Sequence, residues 1–194
     1  MITIEEAIRT FIAIDVPEDL KRSIYEIQQE LGQLRGDRVA WVKTEGVHLT
    51  LKFLGDVSKE TMARVIEAVR RSVQSAEDFW LTTTVKGGFP KLRHPKTLWI
   101  GVDGGEELYR LQKSIEAELE RAGISLETAK FHPHLTVGRV KELGANSVLT
   151  AKFAEFPLDI VEWRVSKVNV MSSRLSSYGA EYDCIESIAL KQIS

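Results

Sequence analysis

Two short segments of this sequence each carry a histidine and a threonine two residues apart, flanked by apolar residues. They are His48-Leu49-Thr50-Leu51 and His134-Leu135-Thr136-Val137. Successive side chains of a β-strand point to opposite faces, so each segment would present an imidazole and a hydroxyl above an apolar underside. Chance would give two of the four histidines a threonine at this spacing only about 2 % of the time. The repetition therefore indicates a functional pair.

These side chains suit acid–base chemistry at a phosphate. Hydrolysis of a cyclic phosphodiester needs water deprotonated on one side of phosphorus and the leaving oxygen protonated on the other. Histidine, with an unperturbed pKa of about 6.5, can do either at neutral pH. Thr50 and Thr136 could donate hydrogen bonds to the non-bridging phosphate oxygens, and Arg139 could stabilise charge in the transition state. The scheme requires no metal and no other cofactor.

The rest of the chain supplies elements that could position the two segments. Apolar residues at helical spacing predict helices over residues 20–31, 62–74 and 108–122, with Ser58 as the N-cap of the second and Gly123 ending the third. Alternating or β-branched stretches predict strands over residues 9–15, 39–42, 47–53, 79–86, 97–102, 131–137, 160–170 and 180–190.

Two stretches are less distinct. Leu149 and Phe153 fit a short helix capped by Asn146, and residues 172–179 are predicted to be a polar connection between the last two strands. The order of elements in the first half is repeated in the second, which resembles an internal duplication. We therefore expect two similar lobes with a cleft between them, into which both histidines point.

The motifs resemble those of the 2H phosphoesterases, a family marked by two H-x-T/S-x segments about one lobe apart. The RNA 2',3'-cyclic phosphodiesterase branch, also called 2'-5' RNA ligase, is closer still, because Arg9 to Ile14 with Pro17, His48 to Gly55, and His132 to Arg139 look like its segments. This resemblance implies an α+β fold of two pseudo-twofold related lobes, each an antiparallel sheet backed by helices, in a single domain over residues 1–194.

The resemblance also implies a function. The substrate would be RNA with a 2',3'-cyclic phosphate end, or a cyclic nucleotide, hydrolysed to a 2'-phosphate. In that mechanism His48 is the acid that protonates the 3' oxygen and His134 is the base that activates water. Joining of RNA ends through a 2'-5' linkage would be the reverse reaction, with a 5' hydroxyl in place of water.

Composition bounds the remaining possibilities. With 194 residues, 43% apolar and 28% charged, the chain has the profile of an ordinary globular protein. A net charge of -2 argues against non-specific coating of nucleic acid. No stretch approaches the roughly 20 apolar residues of a membrane span. We expect a cytoplasmic monomer with no membrane partner, in which the single cysteine, Cys184, is buried and inert.

Four other residues receive weaker interpretations. His132 either rims the site or packs structurally, and His94 is expected at the surface. Lys52 shares the parity of His48 and would either attract phosphate or be solvated at the strand end. Tyr178 could stack on a base.

Two rival functions remain open at this stage. A zinc hydrolase could use His48, His132 and His134 as ligands, although the paired threonines would then have no evident purpose. A non-catalytic module that binds nucleotides or RNA ends would show affinity without turnover. Filled acid–base and hydroxyl positions in both segments favour an enzyme.

Overall fold

The computed structural model describes residues 7–124, 130–176 and 179–192, and within them it contains nine strands and four helices. The strands are β1 Ile8–Asp15, β2 Arg38–Trp41, β3 His48–Val57, β4 Phe79–Phe89, β5 Thr97–Asp103, β6 His134–Glu142, β7 Glu162–Val165, β8 Lys167–Ser176 and β9 Gly179–Ala189. The helices are α1 Glu18–Gly32, α2 Lys59–Val73, α3 Gly105–Arg121 and α4 Leu149–Glu155.

The strands form one sheet in the order β7-β4-β5-β6-β3-β1-β8-β9, with β2 added to β6. Its named strand pairs are antiparallel. The first half of the sheet is β3, β1, β8 and β9, and the second half is β6, β5, β4 and β7. The halves meet at β3 and β6, where Leu49 pairs with Leu135. The predicted α+β fold with two related lobes is confirmed, and the two expected sheets are joined into one.

Each half of the sheet is backed by a helix that follows a strand of the other half. α1 follows β1 but packs behind β6, where the buried Gln28 amide donates to the Val137 carbonyl at 3.0 Å. α3 follows β5 but packs behind β3, where Glu116 accepts from Lys52. This exchange ties the two halves together, so the relative position of the two histidine strands is fixed by both helices.

The predicted helix signals are largely confirmed. Ser58 caps α2 by accepting a hydrogen bond of 3.2 Å from the Thr61 amide. Gly123 follows α3 with φ of 73°, a left-handed conformation that favours glycine. The predicted cap of α4 is wrong: α4 begins at Leu149, whose amide donates to Ser147 rather than to Asn146. In the described part of the chain, no helix combines the length and the apolar character of a membrane span.

Several strands are longer than predicted. β3 continues to Val57 and β4 to Phe89, beyond the predicted ends at residues 53 and 86. Within β4, the Trp99 indole packs directly over Gly87. A Cβ at this position would collide with that ring, so the close packing requires glycine. The last strands also differ, since Ser166 separates β7 from β8. β8 then continues to residue 176, through most of the expected polar connection.

Candidate active site

The two His-x-Thr segments lie side by side on β3 and β6. Leu49 and Leu135 are direct partners in this antiparallel pair, and both are fully buried against the helices. The residue before one partner lies opposite the residue after the other, so each histidine faces the threonine of the other segment. The four polar side chains lie on the opposite face, which we call the cleft face, and all are half-buried. They are His48, Thr50, His134 and Thr136.

The two imidazoles are held by the same local hydrogen bond. Nδ1 of His48 lies 2.7 Å from the Gly46 carbonyl, and Nδ1 of His134 lies 2.7 Å from the His132 carbonyl. A carbonyl oxygen only accepts, so Nδ1 must carry the proton in both rings. Nε2 is therefore the nitrogen that exchanges a proton, and each ring is oriented without using it.

Aromatic rings enclose His48. Phe11 on β1 stacks on the imidazole at a centroid distance of 4.6 Å, and Tyr182 on β9 meets it edge-on at 5.1 Å. Gly46 leaves room for this packing, because a Cβ there would lie 2.8 Å from the Tyr182 ring. Neither ring was predicted for the site from the sequence. Phe11 could have been placed by its strand parity, but nothing local connects Tyr182 with a residue so distant in the chain.

A second aromatic group surrounds His134. Phe89 contacts the imidazole edge-on at 5.0 Å, Trp99 lies at 6.2 Å, and the His132 ring lies at 6.1 Å. These rings also contact one another. Phe89 lies beyond the predicted strand over residues 79–86, and neither Phe89 nor Trp99 was predicted for the site. Both histidines therefore have an apolar, partly dehydrated surrounding with one titratable nitrogen each.

The electrostatic surroundings of the two histidines differ. The pKa of His48 is lowered from its usual value, chiefly by burial and also by the charge of His134, although the Gly46 carbonyl and the carboxylate of Asp15 act in the opposite direction. Asp15 is the direct partner of His48 between β1 and β3. Its carboxylate also pairs with Lys167 at 3.2 Å.

His134 has positive neighbours instead. Burial lowers its pKa, the hydrogen bond to the His132 carbonyl raises it, and the charges of His132 and Arg139 lower it further. The residue that corresponds to Asp15 in the second half of the sheet is Gly101, the direct partner of His134 between β5 and β6. A carboxylate therefore favours the protonated form of one histidine, and cations favour the neutral form of the other.

A β-bulge brings Arg139 to the cleft face. Simple alternation from Thr136 would place residue 139 on the opposite face. The register shifts by one residue at Val137, however, so Trp99 pairs with Thr136 while Thr97 pairs with Arg139. Residues that pair across two strands share a face of the sheet, and so do residues 97 and 99, which are two apart on β5. Arg139 therefore lies on the same face as Thr136 and the histidines, and its side chain is exposed there.

The equivalent bulge in β3 removes Lys52 from the cleft. The register shifts at the residue after Thr50, so Lys52 turns to the helix side and Phe53 takes the cleft face beside Phe11. Lys52 is only 8% exposed and pairs with Glu116 at 2.5 Å. Its predicted positions, at the phosphate or in solvent, are both wrong. Phe53 is the counterpart of Arg139 and is 52% exposed.

The other residues named from the sequence lie as follows. His132 is exposed at the rim of the site, against Phe89 and Trp99, and His94 is exposed in the loop between β4 and β5, as predicted. Cys184 was expected to be buried but is exposed on β9; partial burial raises the pKa of its thiol. Tyr178 lies outside the described residues.

The zinc interpretation gains no support from the arrangement of side chains. Within residues 7–124, 130–176 and 179–192, no group of three potential ligands is suited to a metal ion.

One described cavity lies away from the histidines. It has a volume of about 760 Å³ and lies where β4 and β5 meet α2 and α3. Five carboxylates and one arginine line it, which disfavours a phosphate ligand. The acidic residues are Glu77, Asp78, Asp103, Glu107 and Glu162.

Comparison with known proteins agrees with this arrangement. Residues 16–176 match the family model of the 2'-5' RNA ligase superfamily. An RNA 2',3'-cyclic phosphodiesterase of Thermotoga maritima is 36% identical over 174 residues, 90% of this chain and 91% of the relative. Another, of Methanothermobacter thermautotrophicus, is 33% identical over 180 residues, 92% and 97% of the two chains.

Solved structures share the fold. The protein TT0787 of Thermus thermophilus has a TM-score of 0.77 at 24% identity, covering 95% of this chain and 98% of that one. Escherichia coli LigT complexed with 3'-AMP has a TM-score of 0.75 at 24% identity, covering 96% and 100%. Paired His-x-Thr strands in a two-lobed fold define the 2H phosphoesterase class. Within that class, this chain belongs to the 2'-5' RNA ligase superfamily.

Proposed function

We propose that this chain hydrolyses the 2',3'-cyclic phosphate ends of RNA, or cyclic nucleotides, to 2'-phosphates with His48 as acid and His134 as base. One observation carries the proposal: two imidazoles on adjacent central strands are each anchored through Nδ1, which leaves Nε2 for proton transfer. The chain is an enzyme of the RNA 2',3'-cyclic phosphodiesterase type, as the names of its curated relatives support.

The reaction is an in-line displacement at phosphorus. His134 accepts a proton from water as the water oxygen forms its bond to phosphorus, and the bond from phosphorus to the 3' oxygen breaks. His48 gives its proton to that leaving oxygen. The product carries a 2'-phosphate and a 3' hydroxyl, and the histidines have exchanged protonation states. Proton exchange with solvent restores them for the next cycle.

The charges around the histidines support this division of roles. The acid must be protonated when substrate binds, and Asp15 beside His48 favours that form. The base must be neutral, and Arg139 and His132 favour that form of His134. Two identical side chains thus acquire different tendencies from their surroundings, as acid–base pairs require. Burial lowers the pKa of both histidines, and the difference in the charges beside them agrees with the roles that the family resemblance implies.

The remaining polar groups on the cleft face suit a phosphate. Thr50 and Thr136 flank the paired leucines and can donate to the two non-bridging oxygens. Arg139 can stabilise the charge that develops on them.

Both histidines, both threonines and Arg139 come from one chain, which supports a functional monomer. With a 5' hydroxyl in place of the attacking water, the same groups would catalyse 2'-5' ligation, in which the 5' oxygen bonds to phosphorus as the bond to the 3' oxygen breaks.

The direct test is incubation with 2',3'-cyclic AMP in the presence of EDTA. Release of adenosine monophosphate at a rate that EDTA leaves unchanged is the expected result. Binding of the cyclic nucleotide without turnover would favour the binding module. Activity lost in EDTA and restored by zinc would favour the metal hydrolase.

A further inference from the structure

The loop between β4 and β5 carries a group of basic side chains. Lys91, Arg93, His94 and Lys96 are all exposed. As far as the structure describes the chain, none of them belongs to an ion pair with a carboxylate. We call residues 90–96 the basic hairpin. Its cations are thus available to an external anion.

The basic hairpin begins and ends at the candidate active site. Phe89, which precedes it, contacts the ring of His134 at 5.0 Å. Thr97, which follows it, pairs with Arg139. The Lys96 carbonyl also accepts a hydrogen bond of 3.0 Å from the amide after Arg139. The three exposed Lys and Arg side chains therefore continue the positive charge of Arg139 outward from the cleft.

The hairpin between β8 and β9, in the other half of the sheet, has a different charge. In its described part Arg174 is already paired with Asp183 at 2.7 Å, and its strand partner Glu181 is exposed. These three side chains carry more negative than positive charge, so that hairpin attracts an anion less than the basic hairpin does. A polyanion with its end between the histidines would be drawn toward the second half of the sheet.

We propose that single-stranded RNA on the 5' side of the cyclic phosphate lies along the basic hairpin, where Lys91, Arg93 and Lys96 contact its phosphates. This inference rests on the proposed function and assigns the surface along which the RNA strand leaves the cleft. Phosphate contacts of this kind supply affinity and register without reading sequence. The hairpin tip is about three residues from its base, about 10 Å at strand spacing, which limits the contact to a few nucleotides.

The proposal predicts a measurable salt dependence. On single strands each neutralised phosphate contributes about 0.7 to the slope of log affinity against log salt. Three contacts give a slope of about 2, so affinity for an oligonucleotide should fall about 20-fold between 50 and 200 mM KCl. A mononucleotide does not reach the hairpin and should lack this additional dependence.

The test is fluorescence anisotropy with a labelled hexaribonucleotide that ends in a 2'-phosphate, with adenosine 2'-monophosphate as the competing mononucleotide. The test variant is Lys91→Gln/Arg93→Gln/Lys96→Gln. The matched control removes the same charge from exposed positions on the helices behind the sheet. Its substitutions are Arg22→Gln, Lys59→Gln and Lys113→Gln.

We expect the test variant to lose the hexamer's affinity advantage over the mononucleotide and its additional salt dependence, while the control keeps both. A test variant with the wild-type hexamer Kd and salt slope would overturn the inference, as would an equal loss in the control. Turnover of 2',3'-cyclic AMP by the wild-type protein is a separate readout. If the wild-type protein binds as expected but does not hydrolyse it, the proposed function fails while the RNA surface stands.

Discussion

Replacing His48 or His134 by asparagine separates the proposed proton transfer from folding. The Asn amide nitrogen occupies about the place of Nδ1, so His48→Asn can keep the 2.7 Å bond to the Gly46 carbonyl, and His134→Asn the bond to the His132 carbonyl. Neither variant has a group at Nε2 that titrates near neutral pH. The expected loss of kcat/KM is about 10²- to 10⁴-fold for each, or about 3 to 5 kcal/mol in transition-state stabilisation.

In the proposed mechanism both histidines act on one displacement, so the effects of the two substitutions should not add. The kcat/KM of the double variant should be no more than about 10-fold below that of the less active single variant. The stability cost should be small, because the lost ring contact of His48 with Phe11 is worth about 1 kcal/mol. The assays are initial rates on 2',3'-cyclic AMP and urea unfolding of the same samples. A folded single variant with near-normal kcat/KM would refute the reasoning.

Three further predictions concern pH, substrate contacts and stability. The dependence of kcat/KM on pH should be bell-shaped. Asp15→Asn removes the charge that raises the pKa of His48, so the alkaline limb of the profile should move to lower pH. An unchanged alkaline limb would contradict the role of Asp15. Thr50→Ala and Thr136→Ala should each lower kcat/KM about 10-fold, as expected for a hydrogen bond worth about 1.5 kcal/mol, while the Ser variants keep most activity. Ser58→Ala should lower the free energy of unfolding by about 1 kcal/mol in urea, and Ser58→Asp should restore it.

The part of the site that follows from local pattern could be predicted from sequence. His48, Thr50, His134 and Thr136 share a face because strand alternation holds over three residues, and the buried Leu49 confirms the apolar underside. The helices followed from apolar stripes and from local end signals such as Ser58.

Alternation fails where a strand bulges. The bulges at Leu51 and Val137 arise from pairing with β1 and β5, and no local signal marks them. After each bulge the following residues point to the face opposite to the one that simple alternation predicts, so Lys52 was placed on the wrong face. Arg139 was assigned to the site from its residue type, and the bulge is what places it there.

Contacts between distant segments were also beyond the sequence. Tyr182 meets His48 across 134 positions of the chain, because the sheet order brings β9 round to the first histidine strand. Cys184 was expected to be buried from its apolar neighbours, yet the strand register leaves it exposed. Residues 172–176 were predicted as a connection from their polarity, but backbone pairing with β9 makes them strand.

The central claim is an in-line displacement between two fixed histidines, and the regiochemistry of the product tests it most directly. Only one ester oxygen of the cyclic phosphate can lie beside the acid when attack and departure are in line. Phosphorus NMR of 2',3'-cyclic AMP hydrolysed by the protein in EDTA should show the 2'-phosphate alone. A pure 3'-phosphate would reverse the assigned orientation of the substrate. A mixture of 2'- and 3'-phosphates would contradict the two-histidine geometry itself.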